Sequence, residues 1–368
     1  MTQIVAVRSA FPAHRHPQAD LATAIASLAG MDGLGPDREE QAGRARQRAL
    51  LERLHDNSGV ETRHTALPLA EYAALGPAAN DRYIEEATAL GERALRAALA
   101  QSGLAPGDLD LLIVTSVTGV AVPSLDALLM PRLGLRADVK RLPVFGLGCV
   151  AGAAGLARLH DYLVGWPRHA AALLAVELCS LSLPRSSVST ADLVASALFG
   201  DGAVALVATG AARAGGRARA RPSALPRVIA TRSEVYPDSG GALGWRLSPD
   251  GFRIVLTTEL AAVVERRLGA SVTGFLAEHG LTVDDIGRWI CHPGGPKVLD
   301  AAQRALKLPP AALSSSRRSL AEAGNMSSAS VLHILELTVA DQPPAPGSFG
   351  VMIGLGPGVS AELVLLRW

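Results

Sequence analysis

Residues Val144 to Gly155 read VFGLGCVAGAAG. An apolar, strand-like run breaks at Gly146 and Gly148, presents Cys149, and passes into small residues. Leu156, Leu159 and Leu163 then recur at the spacing of one helix face. Cys149 is therefore expected at a strand-to-helix turn, where the positive end of a helix stabilises a thiolate and lowers its pKa. Gly146, Gly148, Gly152 and Gly155 leave room for backbone to approach a ligand. Other uses fit the same letters. Gly146, Gly148 and Ala151 match a loose dinucleotide fingerprint, with Glu177 as the acidic ribose ligand, although Glu177 lies far down the chain for that role. A hydrolase elbow needs glycine two places either side of the nucleophile, and Leu147 and Ala151 stand there. A buried structural cysteine is the ordinary alternative.

The chain of 368 residues, 49% hydrophobic, can bury one large core or two fused ones. Its net charge of +1, without a long run of one sign, argues against nucleic acid as a partner. The N-terminus lacks the pattern of a signal peptide, and the most apolar stretch, Ala170 to Leu183, is interrupted by Glu177. A cytoplasmic protein without stable membrane insertion is expected. Cys149, Cys179 and Cys291 are too few and too scattered for a disulfide framework, and nothing has the spacing of a metal site.

Two segments repeat. GLAPGDLDLLIVTS, residues 103–116, resembles GLTVDDIGRWICHP, residues 280–293, at a constant offset of 177. A helical pattern precedes each, and each half closes with a glycine turn and a strand, at 199–209 and 354–366. The expectation is an internally duplicated α/β chain, divided into residues 1–215 and 216–368. The Ala-, Arg-, Gly- and Pro-rich stretch 211–225 is the expected connection. Equivalent strand ends would then meet near a pseudo-twofold axis, bringing Cys149 together with residues after Ile290.

One such residue is His292, where a strand-like run ends in His-Pro-Gly-Gly-Pro. Histidine at a strand end before a rigid turn is placed to face a cavity, although a buried core histidine is the commoner case. Asn325, in EAGNMSSAS, could equally be a helix cap. Together the three types make chemical sense. A thiol forms a thioester readily, and neutral histidine and asparagine donors would stabilise an enolate or a thioester oxyanion. Decarboxylative Claisen condensation suits this set better than hydrolysis.

These segments resemble the type III polyketide synthases, the chalcone synthase-like branch of the thiolase fold. The resemblance covers GCVAGAAG, ALFGDGA at 197–203, CHPGGPKVLD, GNMSS and GLGPG at 354–358, in order over nearly the full length. It implies a five-layer αβαβα fold, an acyltransferase acting on malonyl-CoA and acyl-CoA without cofactor or metal, and a homodimer with Val122 near the interface. It implies Cys149 as nucleophile, His292 and Asn325 as decarboxylation and oxyanion residues, and Phe199 and Phe252 as gatekeepers. Thr118, Val122, Cys179, Ser182 and Ser327 would line the cavity, with Gly354, Leu355, Gly356, Pro357 and Gly358 shaping its cyclisation region. Leu355 departs from the phenylalanine usual in plant members. Val117, Val122 and Cys179 replace bulkier or more polar plant residues, which favours a medium or long acyl starter and an alkylpyrone or alkylresorcinol product. Arg44, Arg48 and Arg53, beside Arg46 on an N-terminal helix, and Lys297 are candidates for coenzyme A phosphates. Related single-condensation enzymes, of the ketoacyl synthase III or hydroxymethylglutaryl synthase kind, are the nearest alternative, and a nucleotide-dependent oxidoreductase a remoter one.

Overall fold

The computed structural model describes residues 1–32, 37–76, 79–182, 188–213, 225–248, 251–341 and 343–368, with backbone alone at 247, 248, 251 and 252. The strands are β1 (Thr2–Ala10), β2 (His14–Pro17), β3 (Thr62–Thr65), β4 (Leu111–Thr115), β5 (Lys140–Val144), β6 (Ala170–Leu178), β7 (Asp201–Thr209), β8 (Arg227–Val235), β9 (Leu243–Ser248), β10 (Gly251–Leu256), β11 (Ile286–Cys291), β12 (Phe349–Gly356) and β13 (Ser360–Arg367). Nine of them run in the order β11-β12-β13-β8-β1-β7-β6-β4-β5.

That order contains its own symmetry. From the centre outward, β1 pairs β7 antiparallel, β7 pairs β6 antiparallel, and β6 pairs β4 parallel. On the other side β8 pairs β13 antiparallel, β13 pairs β12 antiparallel, and β12 pairs β11 parallel. Within the sheet, the described residues of the halves pair at two places, Thr2 with Val228 and Gln3 with Arg227. The predicted repeat is visible in detail. Gly103 and Gly280 have φ of 70° and 69°. Ala105 N donates to Asp108 Oδ2, and Thr282 N to Asp285 Oδ2, both at 2.8 Å, just before β4 and β11. The boundary expected at 215/216 lies outside the described residues, as does most of the 211–225 stretch.

Helices complete five layers. Ala79–Ser102 and Leu125–Leu133 cover the outer face of the β1–β7–β6–β4 sheet in one apolar cluster. Glu259–Ala277 and Pro296–Ala305 cover the outer face of the other sheet. Between the sheets lie Ala151–Gly165 and Ser328–Asp341, whose apolar residues share one cluster with Ile4, Ile113, Val204, Ile290, Met352 and Val364. Strands covered on both faces cannot alternate in polarity. Accordingly all five residues of β4 and all nine of β6 are buried, Glu177 included.

Gly152 sets the spacing of the inner layer. A Cβ there would lie 2.1 Å from the Ser328 carbonyl oxygen. Helix Ala151–Gly165 and helix Ser328–Asp341 thus meet at the ends that carry Cys149 and Asn325 just before them.

Candidate active site

Cys149 lies in a single helical turn, Gly148–Val150, between β5 and the inner helix Ala151–Gly165, as its sequence predicts. The glycines around it are steric. A Cβ on Gly356 would sit 2.7 Å from Val150 N, one on Gly354 2.7 Å from the Ala153 Cβ, and one on Gly148 2.7 Å from Pro357 Cγ. The loop 354–358 therefore clasps the cysteine turn from the second half of the chain.

His292 follows the last residue of β11, and its N–H donates to Ile353 O at 2.9 Å. Asn325 lies between helix Ser314–Ala323 and helix Ser328–Asp341. Its Oδ1 accepts from Ser327 N at 2.9 Å, which leaves Nδ2 as a donor directed elsewhere. The side chains of Asn325 and Ser327 face the Cys149 thiol. Backbone bonds join Asn325 to Phe199: Asn325 N donates to Leu198 O at 2.8 Å, and Gly200 N to Asn325 O at 3.0 Å.

Burial reverses the direction of shift expected for Cys149. Loss of water pushes Cys149 up to about 12, against the pull of Ser327 and Asn325, because a partial helix charge is a small return for a fully dehydrated thiolate. Burial likewise holds His292 down at about 3, so its ring is neutral, and its Nδ1 is buried without a partner. Cys149 is thus a neutral thiol faced by the amide of Asn325 and the hydroxyl of Ser327, and His292 is a buried, neutral imidazole at the end of β11. Such a thiol becomes a nucleophile once a base takes its proton, and the Asn325 amide can donate to negative charge that forms beside the sulfur.

Glu177 was considered above only as a ribose ligand, yet it occupies the centre of this region. It accepts from Ser328 Oγ at 2.5 Å, Val117 N at 3.0 Å, Thr118 Oγ1 at 3.1 Å and Ser116 Oγ at 3.3 Å, joining the two halves. Burial raises it to about 7 despite these donors. The sequence did carry a signal, since a carboxylate inside an otherwise apolar run needs a partner.

The remaining predicted residues divide. Thr118 is buried, bonded to Glu177 and accepting from Leu178 N at 2.9 Å; Ser182 Oγ donates to Thr118 O at 3.3 Å; Cys179 is buried beside Glu177. Phe199 ends helix Thr190–Leu198, half-buried. The side chain of Phe252 lies outside the described residues. Two expectations are corrected. Val122 is 93% exposed, so it lines no cavity of its own chain. Leu355 packs in the outer cluster with Ile353 and Ala361, because strand alternation turns it away from the face where Gly354 and Gly356 meet Val150. Among the basic candidates, Arg44 pairs with Glu40 and Arg48 with Asp32 and Glu52, whereas Arg53 and Lys297 are exposed.

Two family models match the chain: the N-terminal domain of chalcone and stilbene synthases over residues 2–212 and their C-terminal domain over 227–368. The chain belongs to the chalcone and stilbene synthase family. It is 54% identical to a 1,3,6,8-tetrahydroxynaphthalene synthase of Streptomyces peucetius subsp. caesius, across 100% of this chain and 93% of that protein. A phloroglucinol synthase of Pseudomonas fluorescens is 31% identical, over 87% and 89%. The crystal structure of the 1,3,6,8-tetrahydroxynaphthalene synthase of Streptomyces coelicolor, a bacterial type III polyketide synthase, superposes with a TM-score of 0.88 at 29% identity, over 100% and 99%. As a type III polyketide synthase of thiolase-like fold, this chain is an acyltransferase that performs decarboxylative condensation on coenzyme A thioesters without a bound cofactor. Among the described residues no helix is long and apolar enough to cross a membrane, and no cluster of metal-binding side chains is present.

Proposed function

We propose that this synthase builds a tetrahydroxynaphthalene-type product entirely from malonyl-CoA. The observation that carries this is the 54% identity, end to end, with a 1,3,6,8-tetrahydroxynaphthalene synthase. Ten ring carbons with oxygens at alternate positions correspond to five two-carbon units, so such a product calls for no alkyl starter. Cys149 carries the growing chain, His292 takes its proton, and His292 with Asn325 holds the enolate left by departing carbon dioxide. Phe199 and Phe252 gate the cavity, Thr118, Cys179, Ser182 and Ser327 contribute to its walls, and the 354–358 loop supports the cyclisation region. Lys297, exposed at the start of helix Pro296–Ala305, suits a coenzyme A phosphate, with Arg44, Arg48 and Arg53 as weaker candidates.

The same proposal covers the division into a nucleophile half, residues 1–215, and a His292–Asn325 half, residues 216–368. It also covers a homodimer in the cytoplasm. β5 ends the nine-stranded sheet, and Val120, Val122, Leu142, Phe145 and Leu147 are exposed around it. A second copy placed there would bury this apolar edge. A second reading, alkyl starters closing to alkylpyrones or alkylresorcinols, is favoured by the small or apolar Val117 and Cys179.

Purified protein supplied with malonyl-CoA alone, then with acyl-CoA starters from acetyl to stearoyl, separates the two. A ten-carbon tetrahydroxy product from malonyl-CoA alone is expected. Products carrying the added acyl chain, and none without it, would instead establish the alkyl reading. Absence of product and of carbon dioxide release under every condition would overturn both.

A further inference from the structure

Arg63, on β3, is only 3% exposed, and its surroundings do not explain it as a structural staple. Nη1 donates to the Phe199 carbonyl, while Nε and Nη2 are buried without a hydrogen-bond partner among the described residues. The nearby carboxylate, Asp201, is already engaged by Ala66 N at 2.7 Å, Ser180 N at 2.8 Å and the Ser180 hydroxyl. A buried guanidinium with donors left over is costly, and an apolar side chain would fill the volume without that cost. What it gains is the attraction of Asp201 and one directed bond. Its stem also fills the space beside Gly324, where a Cβ would lie 2.9 Å from Arg63 Cδ.

The bond falls at a sensitive place. Leu198, Phe199 and Gly200 are tied to Asn325 by the two backbone bonds described above, so the gatekeeper turn and the amide donor form one unit drawn from both halves. β3 approaches that unit from a third direction: Glu61 N donates to Ala321 O at 2.8 Å, and Thr62 Oγ1 to Glu322 O at 2.9 Å. We infer that Arg63 is a positioning residue, holding the Phe199 carbonyl so that Asn325 presents its Nδ2 at the reacting thioester. This rests on the oxyanion role proposed for Asn325.

Arg63→Met removes the bond and keeps the stem; Arg63→Lys keeps a cationic donor. Each is measured for acylation of Cys149 by intact mass, for carbon dioxide release from malonyl-CoA, and for kcat and KM. In R63M, acylation is expected to persist, while carbon dioxide release and kcat fall at least tenfold with KM within about threefold. R63K should recover part of the loss. In an Asn325→Ala background the Arg63→Met effect should largely vanish, because residues acting through one another are not additive. Equal losses of acylation and carbon dioxide release, or an R63M effect undiminished in the N325A background, would overturn the inference. So would failure of both Arg63 variants to fold, which would make the residue structural. If the unsubstituted enzyme releases no carbon dioxide, or N325A releases it normally, the fault lies in the functional reading, and the inference falls with it.

Discussion

Replacing Glu177 by glutamine should change how stability depends on pH, in a direction the structure fixes. Burial raises the Glu177 carboxyl from an ordinary value of 4.5 to about 7. Between those values the folded protein keeps a proton that the unfolded chain has released, so stability declines as pH rises. The contribution is fully present below about 4.5 and lost above about 7. At 1.36 kcal/mol per pKa unit the loss is on the order of 3 kcal/mol. Glutamine has the shape and zero charge of the protonated acid, with one acceptor oxygen and an NH2 group that donates, and it does not titrate. E177Q and the unsubstituted protein should therefore be most alike near pH 5. By pH 8 the variant should have gained roughly 2–3 kcal/mol relative to the parent. Denaturant unfolding of both proteins at equal protomer concentration, at pH 5, 6, 7 and 8, gives the difference directly, and other titrating groups cancel. A difference that stays within about 0.5 kcal/mol across that range would refute the reasoning, because Glu177 would then titrate alike in both states.

Cys149→Ala should leave the fold intact by circular dichroism and bring product formation below detection; normal synthesis would remove Cys149 as nucleophile. Asn325→Asp places a like charge beside the developing enolate and should lower carbon dioxide release from malonyl-CoA by about 100-fold or more. Gly152→Ala forces a methyl to within 2.1 Å of the Ser328 carbonyl oxygen, and overpacking of this kind costs about 1–3 kcal/mol, readable as a lower denaturation midpoint. His292, held down at about 3 by burial, should give the nitrogen chemical shifts of a neutral ring throughout pH 5–9.

Much of the frame was legible because it depends on local signals. The 103–116 and 280–293 segments share a positive-φ glycine and an aspartate that caps the preceding turn, so one backbone course was written twice. His292 directly follows β11 and Cys149 lies in the turn between β5 and the inner helix, so in each case a strand-like run is broken by glycine or proline. What stayed hidden depends on contacts between distant segments. Nothing in TRHT, residues 62–65, marks Arg63 as the residue beneath the Phe199 carbonyl, since that contact spans 136 positions. Ser328 reads as a helix start, yet its hydroxyl donates a hydrogen bond to Glu177, 151 positions away. The direction of the Cys149 shift failed for a related reason: helix position is local, whereas dehydration is the sum of everything packed around the thiol. Leu355 was misplaced because the motif alone does not say which face of β12 it takes.

The 354–358 loop restricts how such an enzyme can diversify. Gly354 and Gly356 are held by contact with Val150, Gly358 by its φ of 68°, Pro357 by its seat on Gly148, and Leu355 by the outer core. Every position in the loop is committed to shape, and a side chain added at Gly354 or Gly356 would crowd the turn that carries Cys149. Under the proposed function, selection for a new ring system must therefore work through residues outside this loop, which makes the proposed wall positions Val117 and Cys179 the better targets for redirecting this synthase.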